Sequence, residues 1–214
     1  MAELRRYYEE QEKSPAFKIF HDSSRVLQQI ILLRHGEPDL KKEGWRNRRE
    51  ALSFMRAYDS VGVKRIVRKP FALRTGTVRR VFHSSMQRAR HTAEQLFSEY
   101  QLEESASFRE FERKPIVFFN VPMPTSFWVG SSRFFWLMGF NSHGIESVGD
   151  ARRRTRINAY FMSEISKKEK TVVLVAHGLH NRELARYLKR MGWEMVYNSG
   201  DEYLSFKILA KPGI

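Results

Sequence analysis

The stretch VLQQIILL, residues 26–33, runs without a break into Arg34-His35-Gly36-Glu37. A short run of Val, Ile and Leu that stops at a glycine reads as a buried strand ending in a turn. Similar runs occupy residues 78–82, 171–176 and, more weakly, 203–209. Between them, apolar residues recur at helical spacing over 48–58, 86–100, 147–165 and 181–191. Ser147, with Asp150 three residues on, carries the signature of a capped helix start. Strands alternating with helices predict a layered α/β fold with a largely parallel central sheet flanked by helices.

The chain has 214 residues, room for one good hydrophobic core. Residues 1–24 set Leu4, Tyr7 and Tyr8 among charges and read as an N-terminal extension, docked as a helix, before a domain at 25–214. Over about 115–140 the texture changes: Phe118, Phe119, Phe127, Trp128, Phe134, Phe135, Trp136 and Phe140 crowd a stretch broken by Pro122 and Pro124. This reads as an insertion wrapping the sheet's end, most of its rings packed onto the sheet. The alternatives are that Trp128, Arg133 or Trp136 shapes a substrate entrance, or that the rings form a patch for a partner.

With no cysteine, disulfides, thiolate metal sites and cysteine nucleophiles are excluded. Lys and Arg number 38 against 24 Asp and Glu, a net charge of +14 that attracts anions without choosing among nucleic acid, acidic membrane and phosphorylated substrate. The cations are dispersed along the chain, and no aromatic-basic alternation marks a base-stacking platform, so no specific nucleic acid is expected. The N-terminus lacks the apolar core of a signal peptide, and no apolar run approaches the roughly 18 to 20 residues of a membrane span. Cytoplasmic residence without a membrane partner is therefore expected.

Ligands of open α/β sheets bind beyond the carboxyl ends of the strands, where Arg34-His35-Gly36 is released. A second strand-terminal pair, His177-Gly178, would bring its imidazole to the same edge. An Arg-His-Gly triplet is expected only about 0.05 times by chance at this composition and length.

These residues resemble the histidine phosphatase superfamily, the phosphoglycerate-mutase-like phosphohydrolases. Arg34-His35-Gly36-Glu37 is similar to that family's hallmark; FHSSMQRARHTAEQL resembles its segment of strand, Ser, turn and Arg-Ala-x-x-Thr-Ala; VVLVAHGLHNREL resembles its second-histidine segment. The resemblance implies a three-layer α/β sandwich, a phosphohistidine intermediate on His35, and phosphate binding by Arg34, Arg88 and a protonated His177. Such a pocket requires no metal and no cofactor. An imidazole nucleophile divides hydrolysis into two easier displacements, and guanidinium forks hold phosphate oxygens in pairs.

The leaving alkoxide needs a proton. The family often supplies it from a Leu-x-Glu-like segment, here Phe108-Arg109-Glu110-Phe111-Glu112, which makes Glu110 the first choice and Glu112 the runner-up on one strand. Glu37 is read as a loop hydrogen-bonding residue, Glu146 and Ser147 as turn and cap, and His83 and His143 as structural or exposed. His180 pairs with His177 for metal only if both share one helix turn.

The expected function is hydrolysis of phosphate monoesters, on a small molecule or a protein. Phosphoglycerate mutase activity is the alternative, although Lys41 stands where the mutases usually have asparagine. A non-catalytic phosphate- or nucleic-acid-binding protein on the same scaffold is the other. Oligomeric state does not follow from the sequence.

Overall fold

Successive side chains of a strand leave on opposite sides of its sheet, so an uninterrupted apolar strand must be covered twice. The strand β1, Leu27–Arg34, meets this condition: Ile31 and Leu33 enter one core, Ile30 and Leu32 the other. The computed structural model describes residues 1–14, 17–20, 27–73, 78–114, 121–140 and 143–212. Val26, Phe118 and Phe119 lie outside them.

After α1, Ala2–Gln11, and β1 come β2, Trp45–Arg46, α2, Arg48–Ser60, β3, Arg80–Ser84, α3, Gln87–Phe97, and β4, Gln101–Ser105. A 3-10 turn at Ala106–Phe108 follows, then β5, Met123–Pro124, α4, Thr125–Leu137, α5, Val148–Glu169, β6, Thr171–Ala176, α6, Gly178–Arg190, β7, Glu194–Asn198, and β8, Phe206–Pro212. The main sheet has the order β4-β3-β6-β1-β8-β7. Its β1-β6, β3-β6 and β3-β4 pairs are parallel, and β8 and β7 add antiparallel strands at one side. Buried residues of α1 and α3 (Leu4, Tyr8, Ala93, Leu96) cover one face, and those of α5 and α6 (Ala159, Met162, Leu184, Leu188) cover the other. The architecture is the expected α/β sandwich with a mostly parallel sheet.

Two aspects of the sequence reading are corrected. Glu110 and Glu112 lie on irregular chain after the 3-10 turn, not on a strand. Among the described residues the buried rings of the aromatic insertion do not join the sheet's cores: Trp128 is buried against Ala51, Phe54, Met55 and Tyr58, chiefly on α2, and Trp136 against Phe111 and Ala151. Each indole N–H donates to a backbone carbonyl, of Arg46 and Glu146 respectively, at 2.7 Å. Both tryptophans are therefore core residues of their own small clusters, while Phe127, Phe134 and Phe140 remain exposed.

Candidate active site

Three neighbouring parallel strands end together. Arg34 is in register with Ala176, and His83 with Val175, so the residues that follow β1, β6 and β3 emerge at one sheet edge. This brings His35, His177 and Ser84 into one site, to which the first turn of α3 adds Arg88. The two imidazoles are buried, with ring centroids 5.2 Å apart at an interplanar angle of 59°.

The His35 ring is fixed by its own backbone neighbour: Nδ1 lies 2.7 Å from the Gly36 carbonyl oxygen. A carbonyl only accepts, so Nδ1 carries the proton and Nε2 keeps its lone pair. The Gly36 N–H in turn donates to Thr92 Oγ1 at 2.9 Å, which ties the turn to α3. Burial, reinforced by the nearby charge of Arg88, holds the imidazole well below the usual histidine range, so it is neutral at physiological pH.

His177 is the N-cap of α6, and its Nε2 lies 2.9 Å from Ser84 Oγ. The sequence reading gave it a positive charge. Burial and then Arg88 push its pKa well down instead, so the protein groups alone hold it neutral. Its buried Nδ1 has no hydrogen-bond partner among the described residues.

The arginines arrive with donors to spare. Arg88 is 2% exposed; Nη1 donates to the Tyr58 carbonyl at 3.0 Å and to Asp59 Oδ1 at 3.3 Å. Arg34 donates Nη1 to the Asp201 carbonyl and lies 4.5 Å from the centre of the Tyr203 ring. The Nε of each is buried without an acceptor among the described residues. Two orphaned guanidinium N–H groups beside two neutral imidazoles form a ready anion site.

Glu110 is half-buried beside this cluster, on a cavity of about 340 Å³ that also carries Asp59, Met86, Glu112, Arg113 and Arg133. Its Oε1 accepts from the N–H of Phe111 at 3.0 Å and of His180 at 3.1 Å, and Oε2 from that of Leu179 at 3.4 Å. Burial alone raises its pKa, but Arg133, the Phe111 N–H and Arg88 outweigh it and leave a carboxyl below its ordinary value. Glu110 is thus a carboxylate held against the start of α6. Arg133 is pushed down to about 10 by burial, with Glu110 opposing.

Other candidates have structural roles. Glu112 accepts the Glu146 N–H at 3.0 Å. Glu146 is gripped by Arg154 at 2.7 and 2.8 Å and by Arg109 at 3.1 Å. Ser147 caps α5 by accepting from the Asp150 N–H at 3.1 Å. Glu37 pairs with Lys64 at 2.7 Å, each about half exposed. His83 donates Nδ1 to the Ser84 carbonyl, and His143 is exposed. His180 does share the first turn of α6 with His177, but its Nε2 accepts from Asn158 Nδ2 at 3.2 Å while His177 meets Ser84. Among the described residues no group of three or more His, Asp or Glu side chains could hold a metal ion.

Sequence reasoning missed Lys42, Tyr58, Arg113 and Tyr203, which line a second cavity of about 400 Å³ together with Arg34. Lys42 and Arg113 lie on irregular chain, where no periodicity or motif singles them out, and Tyr203, read as the start of a strand, lies in the turn before β8.

A profile of the histidine phosphatase superfamily, branch 1, matches residues 30–210. The native structure of the mycobacterial glucosyl-3-phosphoglycerate phosphatase is similar at 17% identity and a TM-score of 0.52, over 86% of this chain and 90% of that one. Mycobacterial hydrolase 2 is similar at 17% identity and a TM-score of 0.53, over 88% of this chain and 84% of that one. Mycobacterial hydrolase 1 follows at 16% identity and 0.52, over 86% and 92%. These likenesses concern the fold. No curated protein sequence matches the chain.

Proposed function

The chain belongs to branch 1 of the histidine phosphatase superfamily, and from that premise we propose that it hydrolyses phosphate monoesters through a phosphohistidine on His35. The observation that carries this reading is the hydrogen bond from His35 Nδ1 to the Gly36 carbonyl, 2.7 Å, which leaves Nε2 as an aimed lone pair on a neutral ring.

Nε2 attacks phosphorus in line, an N–P bond forms, and the P–O ester bond breaks with its electron pair leaving on the alcohol oxygen. Arg34 and Arg88 offset the charge on the equatorial oxygens with their unused N–H donors. His177, neutral among protein groups, gains affinity for a proton when a phosphate dianion lies beside it. Water then attacks phosphorus, giving a proton to the carboxylate that had protonated the departing alcohol, the N–P bond breaks, and His35 recovers its lone pair. The sum is ester plus water giving alcohol plus phosphate, with arginines supplying the charge stabilisation and no metal ion in any step.

The alcohol oxygen takes up a proton as it leaves. In this reading Glu110 delivers it: the same dianion that raises His177 also raises the neighbouring carboxyl, so Glu110 is charged at rest and protonated with substrate bound.

The test is to trap the phosphoenzyme. Brief reaction with a radiolabelled phosphomonoester, quenched without acid, should label the wild-type chain with an acid-labile, base-stable phosphate that His35→Ala lacks. Turnover by His35→Ala at the wild-type rate, or loss of wild-type activity to a chelator, defeats the proposal.

A further inference from the structure

The cavity of about 400 Å³ shares Arg34 with the phosphate site and continues past it over Lys42, Tyr58, Arg113, Val129 and Tyr203. Two tyrosine rings stand among four cations. Lys42 Nζ lies 4.3 Å from the centre of Tyr203 and 5.4 Å from that of Tyr58, while Arg34 shares the Tyr203 ring at 4.5 Å. Tyr58 also takes Arg88 at 4.8 Å and Arg113 at 5.2 Å.

Cation-ring contacts of this kind stabilise a fold modestly, and stacking alone could account for the ring faces. It does not account for the guanidinium edges. Among the described residues the Nε of Arg113 is buried with no acceptor, and neither Arg113 nor Lys42 forms an ion pair with a carboxylate. The acids at hand are committed: Asp59 is 3.3 Å from Arg88, and Glu110 holds the start of α6. Partial burial and the adjacent Arg34 lower the pKa of Lys42, only partly opposed by Glu37, which itself pairs with Lys64 at 2.7 Å. By contrast Lys64, Lys69, Arg90 and Arg182, on the surface, each have a carboxylate within 3.1 Å. Arg34 and Arg88 suffice for one phosphoryl group, which leaves Lys42 and Arg113 facing a cavity large enough for a small organic skeleton.

We infer that Lys42 and Arg113 form a subsite for a second anionic group, so that the preferred substrates are phosphomonoesters whose alcohol part bears a carboxylate or a further phosphate. The inference rests on the phosphatase reading above and adds the substrate class. A carboxylate and a phosphate present the same chemistry to an ammonium and a guanidinium, and both accept the N–H donors that Arg113 leaves unused.

Three esters of one shape separate the possibilities: phenyl phosphate, 4-carboxyphenyl phosphate and 1,4-phenylene bisphosphate, assayed by phosphate release with the full chain at constant ionic strength. The expected kcat/KM is about ten-fold or more higher for at least one ester with the second charge, and which one identifies the anion. Lys42→Ala and Arg113→Ala should collapse that ratio towards one, and Lys42→Arg should keep most of it. Ratios within about two-fold in the wild type, or a ratio that both alanine variants preserve, overturn the subsite. If none of the three is hydrolysed, the phosphatase reading falls. Calorimetric affinities for the same compounds then decide the subsite: tighter binding of the two-charge compounds that Lys42→Ala abolishes supports it, and equal affinities refute it.

Discussion

The Glu110 carboxylate accepts the backbone N–H of His180 at 3.1 Å, so the side chain proposed to deliver a proton also anchors the helix that His177 caps. A carboxylate at a helix N-terminus is favoured by the macrodipole and by the free N–H groups there. Glu110 therefore couples the irregular segment after β4 to the C-terminal end of β6.

This double attachment shapes the outcome of replacing it. Glu110→Gln keeps an acceptor for the helix N–H groups but cannot carry the proton. It should slow alkyl phosphates by about 10²-fold or more and activated aryl phosphates far less, because only the former need protonation as the bond breaks. A purely structural role gives a different result: equal slowing of both ester types together with a lowered Tm. If Glu112→Gln shows the selective loss instead, the proton donor is misassigned.

Arg88 is the sharper test of the phosphate clamp. Its guanidinium is buried and bound to Tyr58 and Asp59, so truncation to alanine also opens a hole. Arg88→Lys retains charge and most volume yet lacks the planar fork. It should lower kcat/KM by about 10²-fold, as removal of preorganised charge stabilisation does, and weaken vanadate binding in parallel. Unaltered vanadate affinity in a well-folded Arg88→Lys protein would show that Arg88 is structural.

How far the sequence could be read follows from where local signals exist. Strand β6 was legible to the residue because both its faces are buried, and β1 within a residue at its described end, for the same reason. Strand β4, QLEES, escaped notice because it is a polar edge strand with only one neighbour. Strand β7 was missed as a short edge strand interrupted by a register shift between Met195 and Tyr197. The helix α6 begins three residues before its apolar periodicity, at Gly178, since its first turn is set by Glu110 from elsewhere in the chain. Motifs at strand ends placed His35, Arg34, Arg88 and His177 around one site. Lys42, Arg113 and Tyr203 reach it from loops, which only the assembled fold brings together.

Surface charge should act on encounter rather than on chemistry. If the excess of Lys and Arg draws phosphorylated substrate to the site, raising ionic strength from about 0.02 to 0.2 M should lower kcat/KM while kcat hardly changes, because exposed charges are screened beyond about 10 Å at 0.1 M. Nucleic acid should bind weakly, with an affinity falling linearly against salt on logarithmic axes. Submicromolar, sequence-selective binding at physiological salt would instead favour a nucleic-acid-binding protein.

Buried neutral histidines should make the fold sensitive to mild acid. Burial is the leading cause that lowers His35 and His177 well below the ordinary value, and it brings His180 down to about 4. In the unfolded chain all three return to about 6.5. Below that pH the unfolded state binds protons that the folded state refuses, so stability falls as pH falls. The contribution is complete above about 6.5 and, for His180, is withdrawn progressively down to about 4, on the order of 3 kcal/mol in full. Carboxyl groups titrate mainly below this window in the unfolded chain, near 4. Thermal unfolding recorded from pH 7.5 to 5 should therefore show Tm declining from about pH 6.5 downward. His180→Gln, which keeps an acceptor for Asn158 Nδ2, should start from a lower Tm but lose less of it over the same interval. A Tm that stays level between pH 7 and 5 would mean that these imidazoles are solvated or compensated in the folded protein, and would remove the ground for treating His35 as a neutral nucleophile.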